Sequence, residues 1–246
     1  MHARILASAV AALFVLPVAA FAGVPDYVAA AVSDPSRPAR EVKLDSVRKP
    51  ADVIAFAGVR PGQTVGEDLP GGGYYTRLLS DVVGPSGHVY MLETTVWGDA
   101  PNDQATMKEL KNANASLDVS PFGQFQLAQQ VDYFWITDNY HDLHVAKYGN
   151  VDMAAFNRHV FEVLKPGGIY FILDHAATPG TGATLSPKLH RIDKAIVISE
   201  VTAAGFKLVG ESDILANPAD DHTKPVFDPA MRWRTDQFIL KFQKPG

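Results

Sequence analysis

The sequence predicts an α/β domain built on a doubly wound, mostly parallel sheet, and two patterns carry that expectation. From about residue 49 onward, short apolar runs of strand character alternate with longer runs of helical character. Such alternation produces parallel strands joined by right-handed crossovers. The last two strand-like runs have no helix between them, so the final strand is expected to be antiparallel.

The elements follow in order. "RKPADVIAFAG" starts a helix with Pro50 in its first turn and stops it at Gly58. "QTVGED" is the first strand. "YYTRLLSDVVG" is a helix with Leu78, Leu79, Val82 and Val83 on one side, closed by Gly84, and "GHVYMLE" is the second strand, ending at Glu93. Residues 102–113 read as an exposed helix, "ASLDVS" as a weak third strand and "VDYFWIT" as a clear fourth. "DMAAFNRHVFEVL" is a helix, "KPGG" a turn, and "IYFILD" the fifth strand. Residues 187–206 read as one long helix stopped by Gly205, followed by the strands "KLVGES" and "DQFILKF". The loop from Ala216 to Arg234 is long enough to be expected to act as a lid.

The chain has 246 residues, 47% hydrophobic and 20% charged, which suits one large globular domain with a buried core. With a net charge of -5 and no block of Lys or Arg, it is no natural partner for nucleic acid or an anionic membrane. Residues 1–22 read as a signal peptide, with Arg4, an apolar stretch from Ile5 to Ala20 and the small-x-small triplet Ala20-Phe21-Ala22. The expected location is therefore the bacterial periplasm or the exterior, with no stable membrane insertion after cleavage. The absence of cysteine removes disulfides and a cysteine-linked lipid anchor. Residues 23–48, broken by Pro25, Pro35 and Pro38, read as an N-terminal arm, and residues 49–246 as the domain.

The most informative stretch is "VGEDLPGGGYYTRLL", Val65 to Leu79. A nucleotide beside a strand-to-helix turn needs the backbone close to it, so side chains must vanish there. Gly71, Gly72 and Gly73 meet that need, and Glu93, twenty residues past Gly73, stands where an acid can take a ribose diol. On spacing alone the turn fits a dinucleotide or S-adenosylmethionine (SAM) equally, and a tight turn without ligand is the plain alternative. Thr76 occupies the place of the last glycine of the dinucleotide pattern, which weighs against a dinucleotide.

Together with "LKPGG" before the fifth strand and the antiparallel ending, these features resemble the class I SAM-dependent methyltransferases over about residues 48–243. The likeness is strongest to a group of predicted exported bacterial methyltransferases with four ordered motifs: Pro70–Thr76, "YHDLH" at Tyr140–His144, Asp174–His175, and "HRID" at His190–Asp193. The resemblance implies a Rossmann-like seven-stranded sheet of order 3-2-1-4-5-7-6, with SAM over the carboxyl ends of strands one and two. It implies that Glu67 faces the methionine amino group, that Gly71 and Gly73 are the later glycines of the motif with Gly72 between them, and that Glu93 holds the ribose. Thr76 and Asn139 complete the implied cofactor-binding set, and Leu69 stands where the motif has its first glycine.

"TDNYHDLH" follows strand four, at the sheet edge where a methyl acceptor would meet the sulfonium. A histidine is a fitting base near neutral pH. His141 is the expected base, Asp142 its orienting partner and His175 the reserve candidate. Each histidine can equally be a hydrogen-bonding scaffold. The His-x-x-His pair with Asp174 and His175 also permits a metal, but without a second ligand pair at recognisable spacing none is expected. The functional expectation is a SAM-dependent methyltransferase acting on a small molecule. The alternative is an exported ligand-binding protein that keeps the fold without methyl transfer, an option raised because SAM is made in the cytoplasm.

Overall fold

The computed structural model describes residues 23–246, so the expected signal peptide, residues 1–22, lies outside the described residues. Seven strands form one sheet: β1 (Thr64–Asp68), β2 (His88–Thr94), β3 (Ala115–Ser120), β4 (Val131–Thr137), β5 (Leu164–His175), β6 (Lys207–Ser212) and β7 (Gln237–Gln243). Their order is β3-β2-β1-β4-β5-β7-β6. The first five run parallel, and β7 is antiparallel to both β5 and β6. This is the expected Rossmann-like order with its reversed last strand.

The central strands are apolar on both faces because helices cover both sides. On one face, Val65, Met91, Trp135 and Phe171 join a core with Leu78, Leu79 and Val82 of α5 (Tyr74–Val83). On the other, Phe134, Ile136, Tyr170 and Ile172 pack with Phe156 and Val160 of α7 (Met153–Val163) and with Val197 and Val201 of α9 (Lys194–Ala203). Trp135 stacks on Phe171 with ring centroids 4.0 Å apart, which makes it a packing residue. The period-two alternation also sends Glu67 toward α5 and Asp68 to the opposite face.

Residues 23–48 form three short helices, α1 (Asp26–Val32), α2 (Ala39–Val42) and α3 (Asp45–Arg48), before α4 (Pro50–Ala57). Val28 and Ala31 enter the core beside α4 and α5. Arg37 binds Asp45 at 2.7 Å and the Val32 carbonyl at 2.7 Å. The Tyr74 hydroxyl donates to the same Asp45 at 2.7 Å.

Three local expectations need correction. The helix expected at 102–113 is α6, Ala100–Glu109, shifted because Leu110 turns extended. "KPGG" is not a turn ahead of the fifth strand but an irregularity inside β5, where the register to β4 shifts between Val131 and Tyr133. The long helix expected at 187–206 is two helices, α8 (Ser186–Leu189) and α9, separated by "HRID". His190 there has φ +54°, outside helical space, and Asp193 caps α9 by accepting from the Ala195 amide at 3.0 Å. Among the described residues, no helix is long and apolar enough to cross a membrane.

Candidate active site

The carboxyl ends of β1, β2, β4 and β5 meet along one edge, and Gly71, Asn139, His141, Asp142 and His175 line the cleft there, whereas His144 turns away to bond Glu200 of α9 at 3.2 Å. The β1–α5 turn is held in left-handed backbone: Leu69, Gly71, Gly72 and Gly73 have φ of +56°, +55°, +86° and +85°. Leu69 therefore carries, as a non-glycine residue, the conformation that glycine adopts without strain. Its amide is pinned to the Leu92 carbonyl at 2.8 Å, and its carbonyl accepts from the Asn139 side chain at 3.0 Å. Asn139 thus ties the end of β4 to the glycine turn.

Glu67 is almost completely buried and accepts a 2.6 Å hydrogen bond from the Thr76 hydroxyl. Burial raises its pKa to about 8, against the lowering effect of Thr76. Asp68, with Oδ2 lacking a donor among the described residues, is also pushed up to about 8 by burial. Glu93 accepts from the Thr94 amide at 2.6 Å and lies against Asp103 of α6. Burial raises both carboxyls, Glu93 to about 8 with a further upward push from Asp103. Apart from each other, Glu93 Oε2 and the two Asp103 oxygens have no hydrogen-bond partner among the described residues. Asp103 is a residue the sequence reading missed, since an acid in a polar helix gives no sign of being buried.

Helix α6 also covers the turn. A Cβ placed on Gly73 would stand 2.4 Å from the Thr106 methyl. Arg77 fastens the cover by pairing with Glu109 at 2.6 Å and with Glu41 of α2 at 2.6 Å. Beyond Gly72, by contrast, a Cβ would meet nothing within 4 Å. The residues fit a nucleoside at its ribose: buried acceptors with no partner beyond each other are what a vicinal diol would satisfy. At the glycines α6 stands over the cradle.

The histidines lie beside this turn, on a cleft of about 230 Å³ lined by Tyr74, Asp138, Asn139, His141, His175 and Phe227, among others. The short helical turn Tyr140–His144 places His141 against β5. Asp174, fully buried, accepts from the His141 amide at 2.7 Å and bonds its Nδ1 at 2.7 Å. The carboxylate that orients the ring is thus Asp174 rather than the adjacent Asp142. On the other side, His141 Nε2 is 3.1 Å from His190 Nδ1 and 3.3 Å from Asp142 Oδ1, and those two atoms are 3.1 Å apart. Burial works to lower the His141 pKa, but the charge of Asp174 and hydrogen bonds to Asp142 and Asp174 outweigh it and push it up to about 10. Burial alone would raise Asp142, yet the His141 and His190 rings facing its carboxylate hold it down at about 2.

His175 is placed differently. Its Nδ1 bonds the Thr235 hydroxyl at 2.8 Å, its Nε2 is 3.7 Å from Asp138 Oδ1, and burial lowers its pKa. The cleft's outer wall comes from the loop expected to be a lid, through Val226, Phe227 and Trp233. Arg48 lies between the rings of Tyr74 and Trp233, 4.7 and 5.1 Å from their centroids. That loop is anchored by the fully buried Arg191, which pairs with Asp220 at 2.8 Å and donates to the carbonyls of Ala176 and Lys224. In "HRID", Arg191 and Asp193 are therefore structural while His190 faces the site. The Arg48 and Trp233 contributions had no sequence signal, because each comes from a separate segment, while His190 was marked only through the "HRID" motif.

No protein-family model and no characterised protein sequence matches this chain. Its fold is shared with solved class I SAM-dependent methyltransferases. A SAM-dependent methyltransferase from Aquifex aeolicus is 18% identical, with 87% of this chain and 96% of that one covered at a TM-score of 0.58. The glycopeptide N-methyltransferase MtfA, solved with sinefungin, is 16% identical over 82% of this chain and 87% of its own, at 0.55. The [4+2]-cyclase SpnF is as similar, 16% identical over 84% and 81%, at 0.55. Identities this low establish the fold, and SpnF shows that the fold also serves other chemistry.

Proposed function

We propose that this protein is a SAM-dependent methyltransferase acting on a small-molecule acceptor. The observation that carries the reading is the left-handed turn Leu69–Gly73 beside carboxyl oxygens of Glu93 and Asp103 that have no partner beyond each other among the described residues. In this reading Gly71, Gly72 and Gly73 let the cofactor backbone pass, Glu67 with Thr76 faces its amino group, Glu93 takes the ribose, and Asn139 steadies the turn. Asp103 of α6 lies against Glu93, where the ribose would be held. When bound, the cofactor would supply a sulfonium methyl to the acceptor's lone pair and would itself be left as a neutral thioether.

The chain's own task is alignment and removal of one acceptor proton. His141 has both ring nitrogens engaged, whereas His175 presents Nε2 to the cleft with its Nδ1 fixed by Thr235. His175 therefore takes the proton, and His141 with Asp142 holds the acceptor's reacting end. Export through residues 1–22 to the periplasm or exterior is part of the proposal, with Gly23 as the first mature residue; N-terminal sequencing of fractionated native protein tests it.

A second reading, a ligand-binding protein without methyl transfer, is favoured by α6 standing over Gly73 and Glu93. Calorimetry of the folded chain with SAM separates the two. Binding that weakens about 10- to 150-fold in Glu93→Ala, the loss of a charge-assisted hydrogen bond, supports the enzyme. A folded chain that gives no heat with SAM supports the binding protein.

A further inference from the structure

The three atoms His141 Nε2, His190 Nδ1 and Asp142 Oδ1 form a nearly equilateral triangle with edges of 3.1, 3.1 and 3.3 Å. Two imidazole nitrogens and a carboxylate oxygen have converged from two segments 49 residues apart. From these residues we infer that the protein carries a divalent transition-metal centre of two histidines and one aspartate at the base of the acceptor cleft.

The distances suit such an ion. Zinc bonds to nitrogen and oxygen are about 2.0–2.2 Å, which puts ligand atoms about 3.3–3.5 Å apart in a tetrahedron and about 2.9–3.1 Å apart in an octahedron. The observed edges span the two. The surroundings are those of a ligand set as well. Asp174 holds His141 Nδ1, the outer carboxylate–histidine contact that orients a metal-binding ring and raises its basicity. Asp142 Oδ1 is buried and has no hydrogen-bond donor in good geometry among the described residues. His190 is the left-handed C-cap of α8 at φ +54°, and its ring lies 4.9 Å from that of Phe227.

Charge is consistent too. A dication among the two ring nitrogens and the carboxylate oxygen is balanced by Asp142 and Asp174. Two imidazoles disfavour magnesium and calcium, which take oxygen ligands, and favour zinc, iron or a neighbouring metal.

Three protein ligands leave the metal open on the remaining side, as catalytic sites do. Both His141 and Asp142 line the cleft, so the open side faces it. Resting on the methyl-transfer reading, this names the acceptor class: a molecule offering an ionisable oxygen, whose acidity the metal would raise so that His175 could take its proton. The flat walls of Tyr74, Phe227 and Trp233, with Arg48 between two of them, fit an aromatic or carboxylate-bearing body around that oxygen.

The test is metal binding itself, read without turnover. Chelator-stripped chain is titrated with Zn2+ by calorimetry, with Mg2+ as a control, and loaded with Co2+ for its visible d–d spectrum. One tight Zn2+ per chain and nitrogen-ligated cobalt bands are expected. Affinity should fall by more than about 100-fold in His190→Ala and in Asp142→Asn, and about 10- to 100-fold in Asp174→Asn. Melting curves identify any variant that fails to fold, and the wild-type cobalt spectrum stands independently of all three. Absence of stoichiometric zinc in the wild type, or undiminished affinity in folded His190→Ala, overturns the inference. SAM titrations run in parallel keep the two readings apart: SAM binding without zinc removes the metal alone, and zinc binding without SAM removes methyl transfer alone.

Discussion

Glu67→Gln isolates the energetic consequence of placing an acid beneath the glycine turn. The substitution keeps the size of the side chain and an oxygen that can accept from Thr76, but it removes the ionisable group. In the folded chain burial lifts the Glu67 pKa from 4.5 to about 8. A folded-state pKa above the unfolded one means that folding favours the protonated acid. Its contribution is fully present below about pH 4.5, shrinks as pH rises through the interval to about 8, and levels off above it. A tenfold change in proton affinity is worth about 1.4 kcal/mol, so the interval corresponds to roughly 4–5 kcal/mol. Local relaxation and water entry make that an upper bound. Urea unfolding of both proteins between pH 5 and pH 9 is the assay. Asp68 and Glu93 shift in the same direction but occur in both proteins, so the difference between the two stability curves reports Glu67 alone. The wild type should lose a few kcal/mol relative to the variant as pH rises. Parallel curves would refute the reasoning, because they would mean that Glu67 ionises in the fold as it does in the unfolded chain.

Asp220→Ala leaves the Arg191 guanidinium buried without its carboxylate and should destabilise by about 3–5 kcal/mol, seen as a melting temperature roughly 6–20 °C lower; Arg191→Met, which removes the charge as well, should cost less. Gly72→Val costs only backbone strain of about 1–3 kcal/mol, since its side chain enters open space, so it should fold yet give no heat with SAM. Gly73→Val also strikes Thr106 and should lose more stability than Gly72→Val in the same urea titration. His175→Ala should bind SAM normally while turnover on an acceptor found by screening falls by about 10²–10⁴; unchanged turnover would leave alignment as the chain's whole contribution.

The strand–helix alternation with its antiparallel end, the glycine turn, and Glu67 and Glu93 beside it were legible in the sequence because each is a local pattern, whereas the strand order was implied only by the family resemblance. Strand runs such as "VDYFWIT" are apolar on both faces in any parallel sheet covered by helices. The turn needs residues that tolerate positive φ, and three glycines announce it, even with Leu69 in the same conformation. Helix-breaking was harder to read: nothing in "PKLHRIDKAIV" forbids one helix, and it is burial of Arg191 against Asp220 and capping by Asp193 that divide it.

The active-site contacts depended on tertiary structure for the same reason. The sequence put His141, Asp142 and His175 at the strand ends, but ring orientation is set by whatever packs against the ring. Asp174 reaches His141 because β5 pairs beside β4, and His190 reaches it only because α8 ends where it does. Likewise Asp103 and Thr106 close over the glycine turn through the packing of α6, which no spacing between Glu93 and residue 103 encodes. A one-dimensional pattern reports what a backbone segment can form; which side chains share a proton or an ion is decided where distant segments meet.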